Sequence, residues 1–207
     1  MTFYDEKILP FLIDKGCSLA PVMKLREKVV PLARGRVLEV GMGSGINLQL
    51  YDINKVEFVW GLEPSAGMRK KARNNIEASP VAVKLLDLPG EEIPLEDNSA
   101  DTVLLTFTLC TIPDWQAGLR QMRRVLKPGG KLLFCEHGLS PDAGVRKWQD
   151  RLTPVWKKIA GGCHLNRPIA DLIESAGFEI EEIHNEYAEQ GPRFAGYMYY
   201  GQASAAR

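Results

Sequence analysis

The sequence has 207 residues, of which 45% are hydrophobic and 25% charged, and its 26 basic and 26 acidic residues cancel to a net charge of zero. This length favours one domain with a sizeable core, and the composition excludes a disordered or fibrous chain. Because the net charge is zero, no overall field draws the protein to nucleic acid, and we predict none as a partner.

The sequence also disfavours membrane and metal-binding classes. Its longest apolar stretches reach about ten residues, whereas a membrane span needs about 20. We therefore predict no integral membrane segment, while peripheral membrane contact stays open. The N-terminal pattern contains acidic residues, which is not typical of a signal peptide. The four cysteines, Cys17, Cys110, Cys135 and Cys163, form no CxxC pair, which predicts a reduced, cytoplasmic chain without a metal site.

Residues 1–35 are predicted to form an N-terminal amphipathic helical segment, since apolar residues such as Ile8, Leu12 and Leu25 recur at helical spacing. Short apolar runs then alternate with helical stretches. The predicted strands are RVLEVG, VEFVWGLE, VAVKLLDL, DTVLLTFTLC, KLLFCEHG, FEIEEIHNEY and FAGYMYYGQ, and the predicted helices end at Tyr51 or cover 65–77, 115–126, 143–160 and 168–176. This alternation predicts a single α/β domain, residues 36–202, with a Rossmann-like, mainly parallel sheet and helices on both faces. The strand order stays open.

A glycine-rich turn, Glu39-Val-Gly41-Met-Gly43-Ser-Gly45, follows the first strand and precedes a predicted helix. Glycines let the backbone approach a ligand closely, and a helix N-terminus offers free N–H donors. The GxGxG spacing differs from the GxGxxG of dinucleotide sites, which disfavours a nicotinamide-dependent oxidoreductase. Glu63 ends the second strand, where its carboxylate can accept hydrogen bonds from two ribose hydroxyls. A purely structural turn, and a helix-capping role for Glu63 before Pro64, are the alternatives.

Four segments in this order, EVGMGSG, GLEPSAGM, EDNSADTV and RRVLKPGGKLLFCEHG, resemble the successive motifs of class I S-adenosylmethionine-dependent methyltransferases with a methyltransferase type 11 domain. The resemblance covers residues 34–138 and implies S-adenosylmethionine as cofactor and S-adenosylhomocysteine as product. Glu39 is expected to hold the turn or to face the cofactor's ammonium, and Thr106 and Leu109 to line its methionine arm. The implied cofactor-binding residues are Glu39, Gly41, Gly43, Gly45, Glu63, Pro64, Met68, Gly90, Glu91, Thr106 and Leu109.

One position departs from the family pattern. Many members carry an aspartate before the Gly/Ala-Glu step that follows the third strand, where it binds the adenine amino group, whereas Pro89 precedes Gly90-Glu91 here. The proline side chain cannot accept that bond. Adenine recognition is therefore expected to use backbone groups around Gly90 and Glu91. Met68 is expected near the adenine, with core packing as the alternative.

Residues 136–170 form the predicted acceptor-site region. The segments EHG and WQDRLTPVWKKIAGGCHLNR resemble the thiol S-methyltransferase branch of the family, known as methyltransferase-like proteins, which implies a small thiol as the leading acceptor. The wider group includes enzymes that methylate phospholipid amines and quinone-ring carbons, so N- and C-methyltransferases are the alternatives. Members of the thiol branch begin with a hydrophobic membrane-associating segment, and the charged start of this sequence does not imply such attachment.

Methyl transfer needs mainly alignment and, for a protonated acceptor, a base. His137 follows the fifth strand and is the predicted catalytic residue, with a hydrogen bond to a loop carbonyl as the alternative. Cys163-His164 suggests a metal or nucleophile site, but the reaction requires neither. Trp148 and Trp156 are predicted to wall the acceptor pocket or to pack in the core. A catalytically silent partner subunit is a different class, although such a chain tends to lose the loop's acids and glycines.

Overall fold

The computed structural model describes residues 9–206, so Ile8 and the other residues of the predicted N-terminal helical segment before residue 9 lie outside the described residues. The helices are α1 (Leu9–Cys17), α2 (Ala20–Val29), α3 (Ala66–Glu77), α4 (Trp115–Val125), α5 (Ala143–Ile159) and α6 (Ile169–Ser175). The strands are β1 (Gly35–Val40), β2 (Val56–Leu62), β3 (Ala82–Leu86), β4 (Ala100–Thr106), β5 (Leu126–His137), β6 (Phe178–Tyr187) and β7 (Tyr197–Ala205). No helix within this range combines the length and apolar character that a bilayer crossing needs.

The strands form one seven-stranded sheet in the order β3-β2-β1-β4-β5-β7-β6. The first five in this order are parallel, and β7 is inserted antiparallel to both β5 and β6. The predicted Rossmann-like α/β class is confirmed. The strand order changes direction between β1 and β4, and this position at the carboxyl ends of the strands is where open α/β sheets bind ligands.

Alternate residues of the strands enter two cores, one on each face of the sheet. On one face Leu38 and Phe134 pack in the same cluster as Leu119 of α4. On the other face Leu133 packs in a cluster with Val29 of α2. Each such fully buried side chain contributes about 1.5–3 kcal/mol relative to an exposed one. The two clusters fix the central strands, and thereby the loops at their carboxyl ends.

The segment after the glycine-rich turn differs from the prediction. A five-residue 3₁₀ helix, Ile46–Leu50, replaces the expected α-helix. The side chains of Asn47 and Tyr51 both donate hydrogen bonds to Glu39, and these bonds hold the segment against β1. The closing strand β7 starts later than the predicted FAGYMYYGQ run and continues to Ala205, past the predicted domain end at residue 202.

Candidate active site

The glycine loop, residues 41–45, turns over the carboxyl end of β1. Gly41 has a φ of +70° and Gly43 a φ of +61°, a region that side chains rarely adopt. A Cβ atom at Gly41 would lie 2.3 Å from Oγ1 of Thr108, since the loop after β4 passes directly beside it. Glycine is therefore favoured at position 41 for two independent reasons, the backbone conformation and the close approach of Thr108.

The Glu63 carboxylate lies beside the glycine loop. Its Oε2 accepts a hydrogen bond from the backbone N–H of Gly43 at 2.9 Å, and its Oε1 accepts one from Ser65 at 2.8 Å. Burial raises the pKa of Glu63 above its usual value, against the effect of these two bonds. The cap of α3 is Ser65, whose Oγ accepts from the N–H of Met68. Each carboxylate oxygen can accept a second bond, so Glu63 fixes the loop and keeps capacity for a ligand.

The glycine loop borders a cavity of about 370 Å³, which we call the glycine-loop cavity. Its wall combines the carboxyl ends of β1, β2 and β4 with one side of α1. Most of the sequence-predicted cofactor residues lie in this wall. They are Gly41, Gly43, Glu63, Pro64, Met68, Gly90, Glu91 and Thr106.

Three predicted cofactor residues lie behind the wall. Glu39 is fully buried and accepts hydrogen bonds from Nδ2 of Asn47 and the hydroxyl of Tyr51, both at 2.8 Å. Burial raises the pKa of Glu39. Glu39 is absent from the wall of the cavity, and its carboxylate holds the 3₁₀ helix and Tyr51 instead of the N–H groups of the turn. Gly45 precedes the 3₁₀ helix at a φ of +78°, and Leu109 is buried in the core. These residues support the wall from behind.

Arg26 of α2 lies in the wall of the glycine-loop cavity, although the sequence pattern did not single it out. It is 4% exposed, and its Nη1 donates to Oδ1 of Asn47 at 2.8 Å and to Oγ1 of Thr106 at 2.6 Å. Both partners are neutral. The Nε atom is buried and has no hydrogen-bond partner among residues 9–206. A buried guanidinium with a free donor is suited to binding a carboxylate.

A second cavity of about 670 Å³, which we call the apolar cavity, adjoins the first. Apolar side chains such as Leu12, Val22 and Met198 line it. Residues shared by the walls of both cavities are Leu9, Ile13, Cys17, Phe107 and Thr111. The described part of the predicted N-terminal helical segment is thus a wall of the site.

Phe107 lies in the shared wall with a φ of +55°, a strained conformation for a residue with a bulky side chain. The guanidinium of Arg26 lies 5.0 Å from the centre of its ring. Its backbone N–H donates to the carbonyl of Cys135 at 2.8 Å. These contacts hold the strained residue between the two cavities.

His137, the last residue of β5, lies in the wall of the apolar cavity. Its Nε2 is 3.0 Å from Sγ of Cys163, and Sγ of Cys110 completes a cluster whose ligand atoms all lie within 4.8 Å of one another. Burial lowers the pKa of His137, but the Cys163 sulfur outweighs this effect and raises it above its usual value. Hydrogen bonds from Cys110 and His137 lower the pKa of Cys163, whereas that of Cys110 is raised well above its usual value.

The structure separates two pairs that the sequence suggested. Nδ1 of His164 lies 3.2 Å from the backbone oxygen of Cys110, so it is not the partner of the Cys163 sulfur. Trp156 lines the apolar cavity, whereas Trp148 is 57% exposed and lines a separate surface groove. The predicted aromatic wall is therefore formed by one of the two tryptophans.

Glu136, the acid of the EHG segment, positions the loop that follows β4. Its Oε1 accepts from the backbone N–H groups of Thr108 at 2.7 Å and Leu109 at 3.0 Å, and its Oε2 accepts from that of Cys110 at 3.4 Å. Burial raises the pKa of Glu136, against the effect of these bonds. Arg167 donates to the carbonyls of Leu109 and Ile112, which precede and follow Cys110 in the chain. The backbone that carries Cys110 is therefore held by two buried side chains.

Comparison with known proteins shows which family profile and which solved fold this chain resembles. Residues 38–134 match the profile of the family described as "Methyltransferase domain". The solved structure of a putative methyltransferase from Bacillus halodurans has the same fold, with a TM-score of 0.71 at 17% identity over 89% of this chain and 98% of that one. Residues 38–134 thus carry a methyltransferase domain, which confirms the resemblance of the sequence to class I S-adenosylmethionine-dependent methyltransferases.

Two curated relatives are similar to much of this chain. Thiol S-methyltransferase TMT1B of Rattus norvegicus is 35% identical over 152 residues, which are 71% of this chain and 61% of the relative. The ubiquinone/menaquinone biosynthesis C-methyltransferase UbiE of Geotalea daltonii is 31% identical over 140 residues, which are 64% of this chain and 57% of the relative. The chain thus spans less than two thirds of the length of either relative. Of these two methyltransferases, the thiol S-methyltransferase is similar over the larger share of this chain and at the higher identity.

Proposed function

We propose that the chain transfers the methyl group of S-adenosylmethionine to a small, uncharged thiol. The observation that carries this proposal is the apolar cavity, which has a histidine and a cysteine sulfur in its wall and adjoins the glycine-loop cavity. Adjoining cavities suit a reaction of two ligands, whose reacting atoms must approach to about 3–3.5 Å. The similarity to a thiol S-methyltransferase supports the choice of acceptor.

Three features of the glycine-loop cavity fit S-adenosylmethionine. Glu63 retains acceptor capacity for the ribose hydroxyls, and Arg26 offers a buried cation and a free Nε–H for the carboxylate. Met68 and the backbone around Gly90 provide a partly apolar surface for the adenine. When bound, the cofactor supplies a methyl group on a sulfonium sulfur, which is a good leaving group. The residues of the chain then have to bind, orient and exclude water.

The apolar cavity suits the organic group of a thiol, because burial of that group against apolar side chains is favourable. We propose that His137, in the wall of this cavity, helps to generate or orient the acceptor thiolate. The acceptor sulfur attacks the methyl carbon, so a new carbon–sulfur bond forms while the bond to the sulfonium sulfur breaks and its electron pair stays with that sulfur. A thiolate is a strong nucleophile, so alignment is the main requirement.

A quinone-ring carbon is the second candidate acceptor. The similarity to UbiE and the apolar wall of the cavity favour it. A phospholipid amine is a third candidate, and a catalytically silent subunit is disfavoured by the retained glycines and by Glu63. We further propose a reducing, cytoplasmic location, which the four free cysteines support.

The experiment that separates these acceptors uses purified protein and S-adenosylmethionine with a deuterated methyl group. Small alkyl and aryl thiols, quinols and phosphatidylethanolamine vesicles are offered in parallel, and the products are identified by mass spectrometry. We expect a deuteromethyl thioether from at least one thiol. Methylation of a quinol carbon or an amine, without any thioether, would contradict the thiol proposal and leave the methyltransferase class intact.

A further inference from the structure

A cluster of two cysteines and a histidine lies where the apolar cavity meets the carboxyl ends of β4 and β5. Cys110 lies in the loop after β4, His137 ends β5, and Cys163 lies in the loop after α5. All three residues line the apolar cavity. The fold brings these three residues together from distant parts of the sequence. The sequence contains no CxxC pair and therefore gives no sign of the cluster.

The donor atoms of this cluster have the composition of a soft-metal site. Two cysteine sulfurs and one imidazole nitrogen favour Zn²⁺, for which ligand distances of about 2.0–2.3 Å place tetrahedral donors about 3.5–3.8 Å apart. In the structure Nε2 of His137 and Sγ of Cys163 are 3.0 Å apart, and all three donor atoms lie within 4.8 Å of one another. Shifts of about an ångström therefore suffice to place the three donors around one ion.

The charge and the surroundings of the cluster also suit a divalent ion. Two thiolates neutralise Zn²⁺, so the loaded site carries no net charge into the apolar cavity. Glu136 and Arg167 together bind backbone groups of Leu109, Cys110 and Ile112, and these bonds restrict one of the ligands. Outer-sphere support of this kind is a regular feature of metal sites.

We propose that Cys110, His137 and Cys163 bind one Zn²⁺ ion and that its fourth position, open to the apolar cavity, takes the sulfur of the acceptor thiol. Three protein ligands and one open position are typical of catalytic zinc sites. The second half of this proposal rests on the proposed function. The proposed zinc site replaces the expectation from the sequence that no metal is bound. His137 is then a ligand of the ion and assists the acceptor thiolate through it.

The chemistry balances without a further reactant. The acceptor thiol displaces a water molecule from the ion, a zinc–sulfur bond forms, and the thiol proton passes to solvent. The bound sulfur attacks the methyl carbon, and the electron pair of the broken bond stays with the departing thioether. The methylated acceptor is then a neutral thioether, a weaker ligand than a thiolate, so water replaces it.

Cobalt titration tests the metal site independently of activity. Reduced protein, first treated with a chelator, is titrated with Co²⁺ and followed by absorption. We expect one equivalent to bind with the thiolate-to-cobalt charge-transfer and visible bands of a tetrahedral site. Cys163→Ser and His137→Gln should weaken binding by more than about 100-fold, beyond the effect of outer-sphere changes. Cys17→Ser, which alters another cysteine of the same cavity wall, should bind Co²⁺ like the parent.

Absence of the charge-transfer bands, or equal Co²⁺ affinity in Cys163→Ser and parent protein, would overturn the metal site. Adding a small thiol to the cobalt protein tests the open position, and unchanged visible bands would refute thiol binding there. Thioether formation at full rate by metal-free protein would refute the role of the ion while supporting the proposed function. A cobalt site in a protein that methylates no thiol would support the metal site and contradict the proposed function.

Discussion

The two cavities are built from the chain in different ways. The glycine-loop cavity takes much of its wall from short contiguous runs, residues 41–44, 63–65 and 89–91, which follow the first three strands. The apolar cavity gathers single residues and short stretches from α1, α2, the ends of β4, β5 and α5, and residues 188–198. Backbone conformation defines the first cavity, whereas convergence of distant side chains defines the second. The cofactor side of such an enzyme can therefore be recognised in a sequence, and the acceptor side much less so.

The largest expected effect comes from Gly41→Val, which tests whether backbone conformation defines the glycine-loop cavity. A β-branched residue at a φ of +70° is strained, and its Cβ would overlap the side chain of Thr108. We expect a loss of about 2–5 kcal/mol in the free energy of unfolding, measured by urea denaturation.

Gly144→Ala is the matched control for this substitution. Gly144 lies in α5 with no atom within 4 Å of an added Cβ. Alanine there should change the free energy of unfolding by less than about 1 kcal/mol, in the stabilising direction. If Gly41→Val were as stable as this control, the proposed constraint on the loop would be wrong.

Glu63→Ala should lower the affinity for S-adenosylhomocysteine, which calorimetry measures. Loss of hydrogen bonds to a charged group should weaken binding by about 1.5–3 kcal/mol. Glu57→Ala, at an exposed position of the same strand, is the control and should bind like the parent. Unchanged affinity in folded Glu63→Ala protein would remove Glu63 from the cofactor site.

The sequence predicts site residues where local turns form the site, and it misses residues that distant parts of the chain contribute. Gly41, Gly43 and Glu63 were predicted because the local sequence at a strand end dictates the turn that they form. Arg26 was missed because a helix that covers the sheet brings it to the cavity, and its only signal was a charge at a buried helical position. Cys163 was paired with its neighbour in sequence, whereas the fold places it beside His137, 26 residues away.

Arg26→Met tests a residue that lines the glycine-loop cavity but comes from a helix distant in sequence from the glycine loop. If Arg26 binds the carboxylate of the cofactor, the substitution should weaken the binding of S-adenosylhomocysteine by about 1–3 kcal/mol. Methylthioadenosine, which lacks the amino-acid group, should bind both proteins equally. Equal weakening of the two ligands would instead indicate a general disturbance of the cavity.

The smallest expected effect separates the two tryptophans. Trp156→Ala removes a large apolar side chain from the wall of the apolar cavity and should raise the KM for the thiol by about 5–30-fold, equivalent to about 1–2 kcal/mol. Trp148→Ala, at the exposed position on α5, should leave that KM unchanged. The opposite order of effects would place the acceptor in the surface groove beside Trp148.

If the two adjoining cavities hold two different ligands, a steady-state experiment can perturb each ligand separately. The KM values for S-adenosylmethionine and for the thiol are measured in parallel for the parent, Glu63→Gln and Trp156→Ala. The proposed arrangement predicts that Glu63→Gln raises the KM for the cofactor alone and that Trp156→Ala raises the KM for the thiol alone. An increase in the cofactor KM in Trp156→Ala, with the thiol KM unchanged, would contradict it.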